Sequence, residues 1–295
     1  MEKFSNWRDK GTGISPFMPV DSQPLGIAGR ALQLLLVVAK LPIFVVVYLG
    51  YLTICPFASV ANFLVVTLFG FRKVEVTADG VKKSRSKEVD AQRPGPNDVV
   101  VVNYVSPIDP LILASIAKVS WRNIYFLIPD NSGDLYEYSA WGAAKQALSP
   151  SAENALSSTE KVTDLSRYSS KLVYIFAEGT TSNNRSILPF MGVPAIEGLS
   201  HGNNKFTFKT VSLKISPNSF TTPLPLHSLS GYLFSLLANI SGKSGVRAKI
   251  FTHQNGIDLV ASKRSFESNQ LTSVGNELDI LSKEAFHSQY LKVKK

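Results

Sequence analysis

Several polar residues follow a run of valines, at the point where a buried strand is predicted to end. Residues 99–102 are all valine. Directly after them come Asn103, Tyr104, Ser106 and Asp109. In a parallel sheet, ligands bind in the loops at the C-terminal ends of strands, so these polar side chains could form part of a site. The plainer alternative is that Ser106 is a turn residue and that Asp109 caps a helix beginning at Pro110. So short a motif is easily met by chance, and taken alone it favours the plainer alternative.

A second polar loop follows another apolar run, at residues 172–176. It contains Glu178, Gly179 and Thr180, and Arg185 lies further along. Glycine lets the backbone approach a ligand closely, and backbone N–H groups together with hydroxyls suit a phosphate. A solvated turn after a strand is the plainer alternative for this loop.

Strand and helix patterns alternate from residue 74 onward. Apolar runs at residues 99–102, 124–128 and 172–176 indicate buried strands, with helix-like stretches between them. This alternation predicts an α/β domain over residues 74–295, with a largely parallel central sheet flanked by helices. In such sheets ligands bind at the C-terminal ends of the strands. The two polar loops are therefore the candidate site.

An uncharged apolar segment precedes this domain, at residues 41–71. Cations flank it on both sides: Arg30, Lys40, Arg72 and Lys73. A soluble helix is rarely apolar on every face over this length, so residues 31–73 are predicted to anchor the chain in a membrane. Pro56 divides the segment into two arms too short to span alone, which favours a hairpin bent near Pro56 with both termini cytosolic. A single tilted span over residues 31–54 is the alternative.

Composition restricts the partners. The net charge of +9 favours an anionic partner, such as a phosphorylated metabolite or a negatively charged membrane surface. The cations are scattered without interleaved aromatic residues, so we expect no nucleic-acid partner. Cys55 is the single cysteine, which excludes an internal disulfide and a cysteine-based metal site. We expect no bound metal, and the Gly- and Pro-containing residues 1–30 are predicted to form an irregular N-terminal segment.

Together, and in this order, the two loops resemble the motifs of the glycerolipid (lysophosphatidic acid) acyltransferase family. That family carries an N-H-x-S-x-x-D loop and, after a later strand, an F-P-E-G-T-R-S loop. This sequence matches the first motif at Asn103, Ser106 and Asp109. It matches the second at Phe176, Glu178, Gly179, Thr180 and Ser182. Residues 6–17 are also similar to the N-terminus of a fungal member, and the resemblance implies an acyltransferase-like domain behind a hydrophobic anchor.

The resemblance also implies roles for these residues. In the family, the His of the first loop is the general base and the Asp orients it. The Glu, Gly and Thr of the second loop hold the phosphate region of the acceptor, and the Arg supplies charge. Carried over, the catalytic loop comprises Asn103, Tyr104, Ser106 and Asp109. The phosphate-binding residues are Glu178, Gly179 and Thr180, with Arg185 as the nearby cation.

Two positions depart from the family pattern. Tyr104 stands where the family has His, and a phenol with a reference pKa of ~10, against ~6.5 for imidazole, is a poor base near neutral pH. Thr181 stands where the family has Arg. Asp109 itself and His227, which follows a proline-containing segment, are the candidate substitute bases.

The implied reaction is acyl transfer from acyl-CoA, with oleoyl-CoA the expected donor, to lysophosphatidic acid or another lysophospholipid. The product, phosphatidic acid, enters phospholipid and triacylglycerol synthesis. Acyl-CoA is a co-substrate, and no cofactor is expected. The alternative is a catalytically silent acyltransferase fold that binds lipid or acts as a scaffold at a membrane. The expected location is the endoplasmic reticulum membrane or the lipid droplet, with the domain facing the cytosol.

Overall fold

The computed structural model describes residues 2–20, 26–54, 56–149, 161–199, 205–221, 228–239, 244–253 and 256–294. Its strands, in chain order, are β1 (Val74–Ala78), β2 (Asp98–Val102), β3 (Ile124–Pro129), β4 (Leu135–Tyr138), β5 (Leu172–Phe176), β6 (Ser186–Ile187), β7 (Thr207–Ser216), β8 (Gly245–Thr252) and β9 (Thr272–Ser273). Seven of them form one sheet, in the order β1-β8-β7-β2-β5-β3-β4. The short strands β6 and β9 pair separately.

The central sheet is largely parallel, as the alternating pattern predicts. The strand β2 is parallel to β5 on one side and to β7 on the other. The pairs β3–β5 and β1–β8 are also parallel. Two pairs in the sheet, β3–β4 and β7–β8, are antiparallel. The predicted α/β class is therefore confirmed.

Helices cover the sheet. In chain order they are α1 (Ile27–Thr53), α2 (Ala58–Phe63), α3 (Ser86–Gln92), α4 (Asp109–Ile116), α5 (Ala140–Leu148), α6 (Val193–Gly198), α7 (Leu229–Leu237), α8 (Leu259–Ser268) and α9 (Ile280–Lys294). Asp109 is the first residue of α4, and Pro110 follows it at a position where the missing N–H costs nothing.

Each face of the sheet carries its own core, because successive side chains of a strand point to opposite faces. Val100 and Val102 pack in a cluster with residues of α2, α4, α5 and α7. Val99 and Val101 pack on the other face with residues that include Phe266 of α8. The run of valines is therefore buried on both sides, and β2 is held rigidly beneath the first polar loop.

The predicted anchor takes a different form from a two-armed hairpin. The helix α1 is long and apolar enough to cross a membrane by length and composition, and it begins at Ile27 rather than at residue 31. The second arm, α2 and the turn after it, packs into the core against α4, with Ala61, Leu64 and Val65 fully buried. Hydropathy alone does not separate a lipid-facing arm from a core-facing one.

A third, smaller cluster joins the two ends of the chain. Phe17 from the N-terminal segment is fully buried against Phe286 of α9, and the indole N–H of Trp7 donates to the Ser282 carbonyl at 3.0 Å. Residues Glu2–Trp7 form a short 3-10 helix in a segment predicted to be irregular. The N-terminal segment is therefore packed against the last helix.

Candidate active site

The two polar loops lie side by side because β2 and β5 are neighbouring parallel strands whose last residues, Val102 and Phe176, are register partners. Two hydrogen bonds join the loops directly. The Tyr104 N–H donates to Glu178 Oε2 at 2.7 Å, and the Ser182 N–H donates to the Tyr104 carbonyl at 3.1 Å. Residues distant in the sequence thus form one connected site.

Glu178 is a buried carboxylate with both oxygens in use. Oε2 accepts from Tyr104, and Oε1 accepts from the Leu188 N–H at 2.7 Å. Burial raises the pKa of Glu178 to about 8, against the lowering effect of these two hydrogen bonds. Its side chain ties three chain segments together.

Tyr104, at the position of the family's His, is fully buried. Its ring stacks on Phe176 with centroids 4.1 Å apart, and its hydroxyl donates to the carbonyl of Ala143 in α5. Burial and the nearby Asp109 raise the pKa of Tyr104 well above its ordinary value. The hydroxyl is therefore a protonated donor engaged by the backbone of α5.

Asp109 differs from Glu178 in that one of its carboxylate oxygens accepts no hydrogen bond from the described residues. Its Oδ2 accepts from the N–H groups of Val105 and Ser106, at 2.7 and 2.9 Å. Its Oδ1 is buried and has no partner among the residues that the structure describes. Burial raises the pKa of Asp109 to about 8. A carboxylate with a free oxygen and a pKa near neutrality has the properties of a general base.

The remaining polar residues of the first loop hold it in place. The Asn103 amide donates to the Leu213 carbonyl at 2.9 Å and accepts from the Leu213 N–H at 2.7 Å. Ser106 Oγ lies 2.5 Å from the Tyr232 hydroxyl and donates to the Phe220 carbonyl at 3.1 Å. The loop is therefore fixed to β7 and α7.

An apolar cavity of about 850 Å³ opens beside the first loop. Ile108 and Pro110, the two neighbours of Asp109, line it, and so does Tyr232, the partner of Ser106. The other walls come from α1, α4, α5, α7, β3 and nearby loops, with large side chains that include Phe44, Tyr48, Tyr51, Phe69, Trp121, Phe126, Trp141, Leu233 and Leu236.

The second loop turns sharply at Gly179, which has φ +66°. A Cβ at this position would lie 2.6 Å from Ile280 Cδ1 and 3.0 Å from the Pro129 carbonyl oxygen. Only glycine fits this conformation and this space without strain. The loop is therefore packed tightly between β3 and the start of α9.

Lys283 of α9 is a component of the site that the sequence analysis missed. It is 1% exposed, and its ammonium donates to Thr180 Oγ1 and Thr181 Oγ1, both at 2.8 Å, and to the Thr181 carbonyl at 2.9 Å. Burial lowers its pKa to about 7, and the nearby Glu178 opposes this effect. In the sequence it is one of several lysines in a charged terminal helix, and no pattern distinguishes it.

The two other predicted site residues lie apart from this network. Arg185 is exposed and lines a cavity of about 690 Å³ together with Arg8 of the N-terminal segment. His227 falls outside the described residues. Within the described ranges, no group of three or more His, Cys, Asp or Glu side chains could hold a metal ion.

Comparison with known proteins shows a resemblance to one family over the residues of this site. A model of the acyltransferase family matches residues 81–193, which include both loops. The chain is 27% identical to lysophosphatidic acid:oleoyl-CoA acyltransferase 1 of Saccharomyces cerevisiae, over 99% of this chain and 97% of that protein. It is 26% identical to the putative lysophosphatidic acid:oleoyl-CoA acyltransferase of Schizosaccharomyces pombe, over 84% and 83%. No solved structure matches significantly. Residues 81–193, behind an apolar N-terminal helix, are therefore similar to the acyltransferase family.

Proposed function

We propose that this enzyme transfers the oleoyl group of oleoyl-CoA to the free hydroxyl of lysophosphatidic acid, and so supplies phosphatidic acid for phospholipid and triacylglycerol synthesis. The names of the two relatives support this choice of substrates. The observation that carries the proposal is the juxtaposition of a large apolar cavity with Asp109, whose Oδ1 accepts no hydrogen bond from the described residues. An acyl chain in this cavity would bring its carbonyl end towards the first loop.

The cavity suits a long acyl chain. Its volume of about 850 Å³ lies within the range of about 300–1,000 Å³ that is typical of small-molecule pockets, and its large lining side chains are mostly apolar. Phe44 and Tyr48 of α1 form part of the wall, while Leu35, Val38 and Val46 on the same helix are exposed. A lipid tail can therefore enter the cavity from a membrane on which α1 lies.

Asp109 acts as the general base in the proposed reaction. The hydroxyl oxygen of the acceptor attacks the thioester carbonyl carbon, the C–S bond breaks, and CoA leaves as a thiolate. The hydroxyl proton passes to Asp109 and from there to the thiolate. Tyr104 does not take this proton, because its hydroxyl already donates to the Ala143 carbonyl. Asn103 and Ser106 hold the first loop in place. His227 is the alternative candidate for the general base.

The second loop is the proposed site for the acceptor's phosphate region. Gly179 permits the tight turn, Thr180 contributes a hydroxyl, and Glu178 holds the loop against the first one. Arg185 adds positive charge beside this loop, in the cavity that it lines together with Arg8. The guanidinium groups of Arg8 and Arg185 favour an anionic ligand in that cavity.

We further propose that α1 anchors the enzyme on the cytosolic face of the endoplasmic reticulum or on lipid droplets without crossing the membrane. Residues N-terminal to α1 pack against α9, and residues C-terminal to α1 pack in the core. Both ends of α1 therefore lie on the same side of the membrane as the domain. Lys40, in the middle of α1, donates to the Asn239 carbonyl at 3.1 Å and so holds the helix against the protein. This arrangement keeps both termini cytosolic, and tags at residues 1 and 295 should both resist a lumenal labelling enzyme.

The reaction is tested with purified full-length protein in mixed micelles, supplied with labelled oleoyl-CoA and lysophosphatidic acid. We expect labelled phosphatidic acid and release of one CoA thiol per acyl group transferred. Monooleoylglycerol, which has the same chain without the phosphate, should be a poor acceptor. Binding of lysophosphatidic acid without any transfer would instead favour the silent, lipid-binding alternative.

A further inference from the structure

Lys283 is a buried cation with an unusual environment. All of its three hydrogen bonds go to the second loop, at Thr180 and Thr181. Within the described part of the chain, no carboxylate forms a salt bridge with it, although Glu178 is near enough to influence its pKa. By contrast, the buried Lys209 pairs with Asp98 at 2.6 Å. Lys209 is thus an ordinary buried ion pair, and Lys283 is not.

Stability alone does not explain a lysine at this position. Burying an ammonium group without a counter-charge is costly, and an apolar side chain of similar volume would serve the core of α9 better. The neighbouring side chains of that core are apolar or aromatic, including Phe286 and Leu278. The hydrogen bonds of the ammonium group to Thr180 and Thr181 therefore indicate a role in the second loop.

We propose that Lys283 is the positioning residue of the phosphate loop: it fixes Thr180 and Thr181 and supplies, from the C-terminal helix, the positive charge that residues 178–184 lack. Its three N–H groups are occupied by the loop, so it acts on a bound phosphate through the loop and through its field rather than by direct contact. The inference rests on the proposed function, in which this loop receives the phosphate of lysophosphatidic acid.

The N-terminal segment holds this lysine in place. Trp7 donates to the carbonyl of Ser282, the residue before Lys283, and Asp9 Oδ1 accepts from the Gly275 N–H at 2.8 Å. Asn183 of the second loop in turn donates to the carbonyls of Pro16 and Ser15, at 3.0 and 2.9 Å. Both ends of the chain therefore contribute to one phosphate site.

The test measures binding, which needs no turnover, and compares two lipids that differ in the phosphate. Affinity for lysophosphatidic acid and for monooleoylglycerol is measured by calorimetry in detergent micelles. We expect Lys283→Met to weaken lysophosphatidic acid binding about tenfold or more, because a charged hydrogen-bond network is lost, and to leave monooleoylglycerol binding unchanged. Lys292→Met, at an exposed position on the same helix, is the matched control and should change neither affinity.

Two further variants keep the test decisive if Lys283→Met is poorly folded. Lys283→Gln retains hydrogen-bond donors without the charge, so it should fold and still lose phosphate-dependent affinity. Adding Thr181→Arg to Lys283→Met returns a cation to the loop and should recover part of the loss. The proposal would be overturned if a Lys283 variant bound both lipids with equally reduced affinity. It would also be overturned if a folded Lys283 variant bound lysophosphatidic acid with unchanged affinity. A wild-type protein that binds both lipids but transfers no acyl group would refute the proposed reaction and leave the role of Lys283 standing.

Discussion

Two buried carboxylates, one in each loop, show how differently the same residue chemistry can be used. Asp109 and Glu178 are both buried, and burial raises the pKa of each to about 8. Glu178 accepts a backbone hydrogen bond on each oxygen, whereas Asp109 accepts two on Oδ2 and, in the described part of the chain, none on Oδ1. Because the raised pKa is common to both carboxylates, the proposal that Asp109 is the base rests on its Oδ1. We therefore propose that Asp109 is the general base and that Glu178 stabilises the contact between the two loops.

Replacing Asp109 should produce the largest effect on catalysis. Asp109→Asn keeps an oxygen for the Val105 and Ser106 N–H groups but cannot accept a proton. We expect kcat for oleoyl transfer to fall by ~10²–10⁴, the usual contribution of a general base, with little change in thermal stability. Steady-state kinetics and a melting curve on the same preparation check this. Full activity in Asp109→Asn would transfer the role of base to another residue, with His227→Ala as the next variant.

Glu178→Gln should lower the stability of the protein and leave kcat largely unchanged, the reverse of Asp109→Asn. One of the two N–H groups, from Tyr104 or Leu188, would face an amide NH₂ instead of an oxygen, and an unsatisfied buried donor costs about 1–3 kcal/mol. We expect the free energy of unfolding, measured by urea denaturation, to fall by that amount, while the folded enzyme keeps most of its kcat. A loss of kcat as large as in Asp109→Asn, without a loss of stability, would make the two carboxylates equivalent and break the comparison.

Tyr104→Phe should have the smallest effect. The variant keeps the ring that stacks on Phe176 and loses one hydrogen bond, to the Ala143 carbonyl. Such a bond contributes about 0.5–1.5 kcal/mol to stability, and kcat should remain within a few-fold of wild type. Denaturation and kinetics on the same samples check both numbers. A drop in kcat of about a hundredfold would instead show that the phenol takes part in proton transfer.

The sequence predicted the parts of this protein that depend on local pattern. Valine and aromatic runs identified β2, β3 and β5, and the order of these strands and their loops indicated where the site would form. The second arm of the apolar segment was not predicted to enter the core, because lipid and protein interior select the same side chains. Lys283 could not be identified, because its contact with Thr180 joins residues that are far apart in the chain. The hydrogen bond from Tyr104 to α5 is likewise a tertiary contact without a local signal.

The pH dependence of kcat at saturating substrates tests the central claim, that Asp109 is the base. Because the base must be ionised and burial raises the pKa of Asp109 to about 8, kcat should rise with pH below that value and level off above it. Saturating lysophosphatidic acid keeps Lys283 protonated, since a bound phosphate favours the charged form of a nearby amine. We predict that the rise persists in Glu178→Gln and disappears from the residual activity of Asp109→Asn. A rise with a midpoint near that of histidine, at about 6.5, that survives in Asp109→Asn would contradict the account.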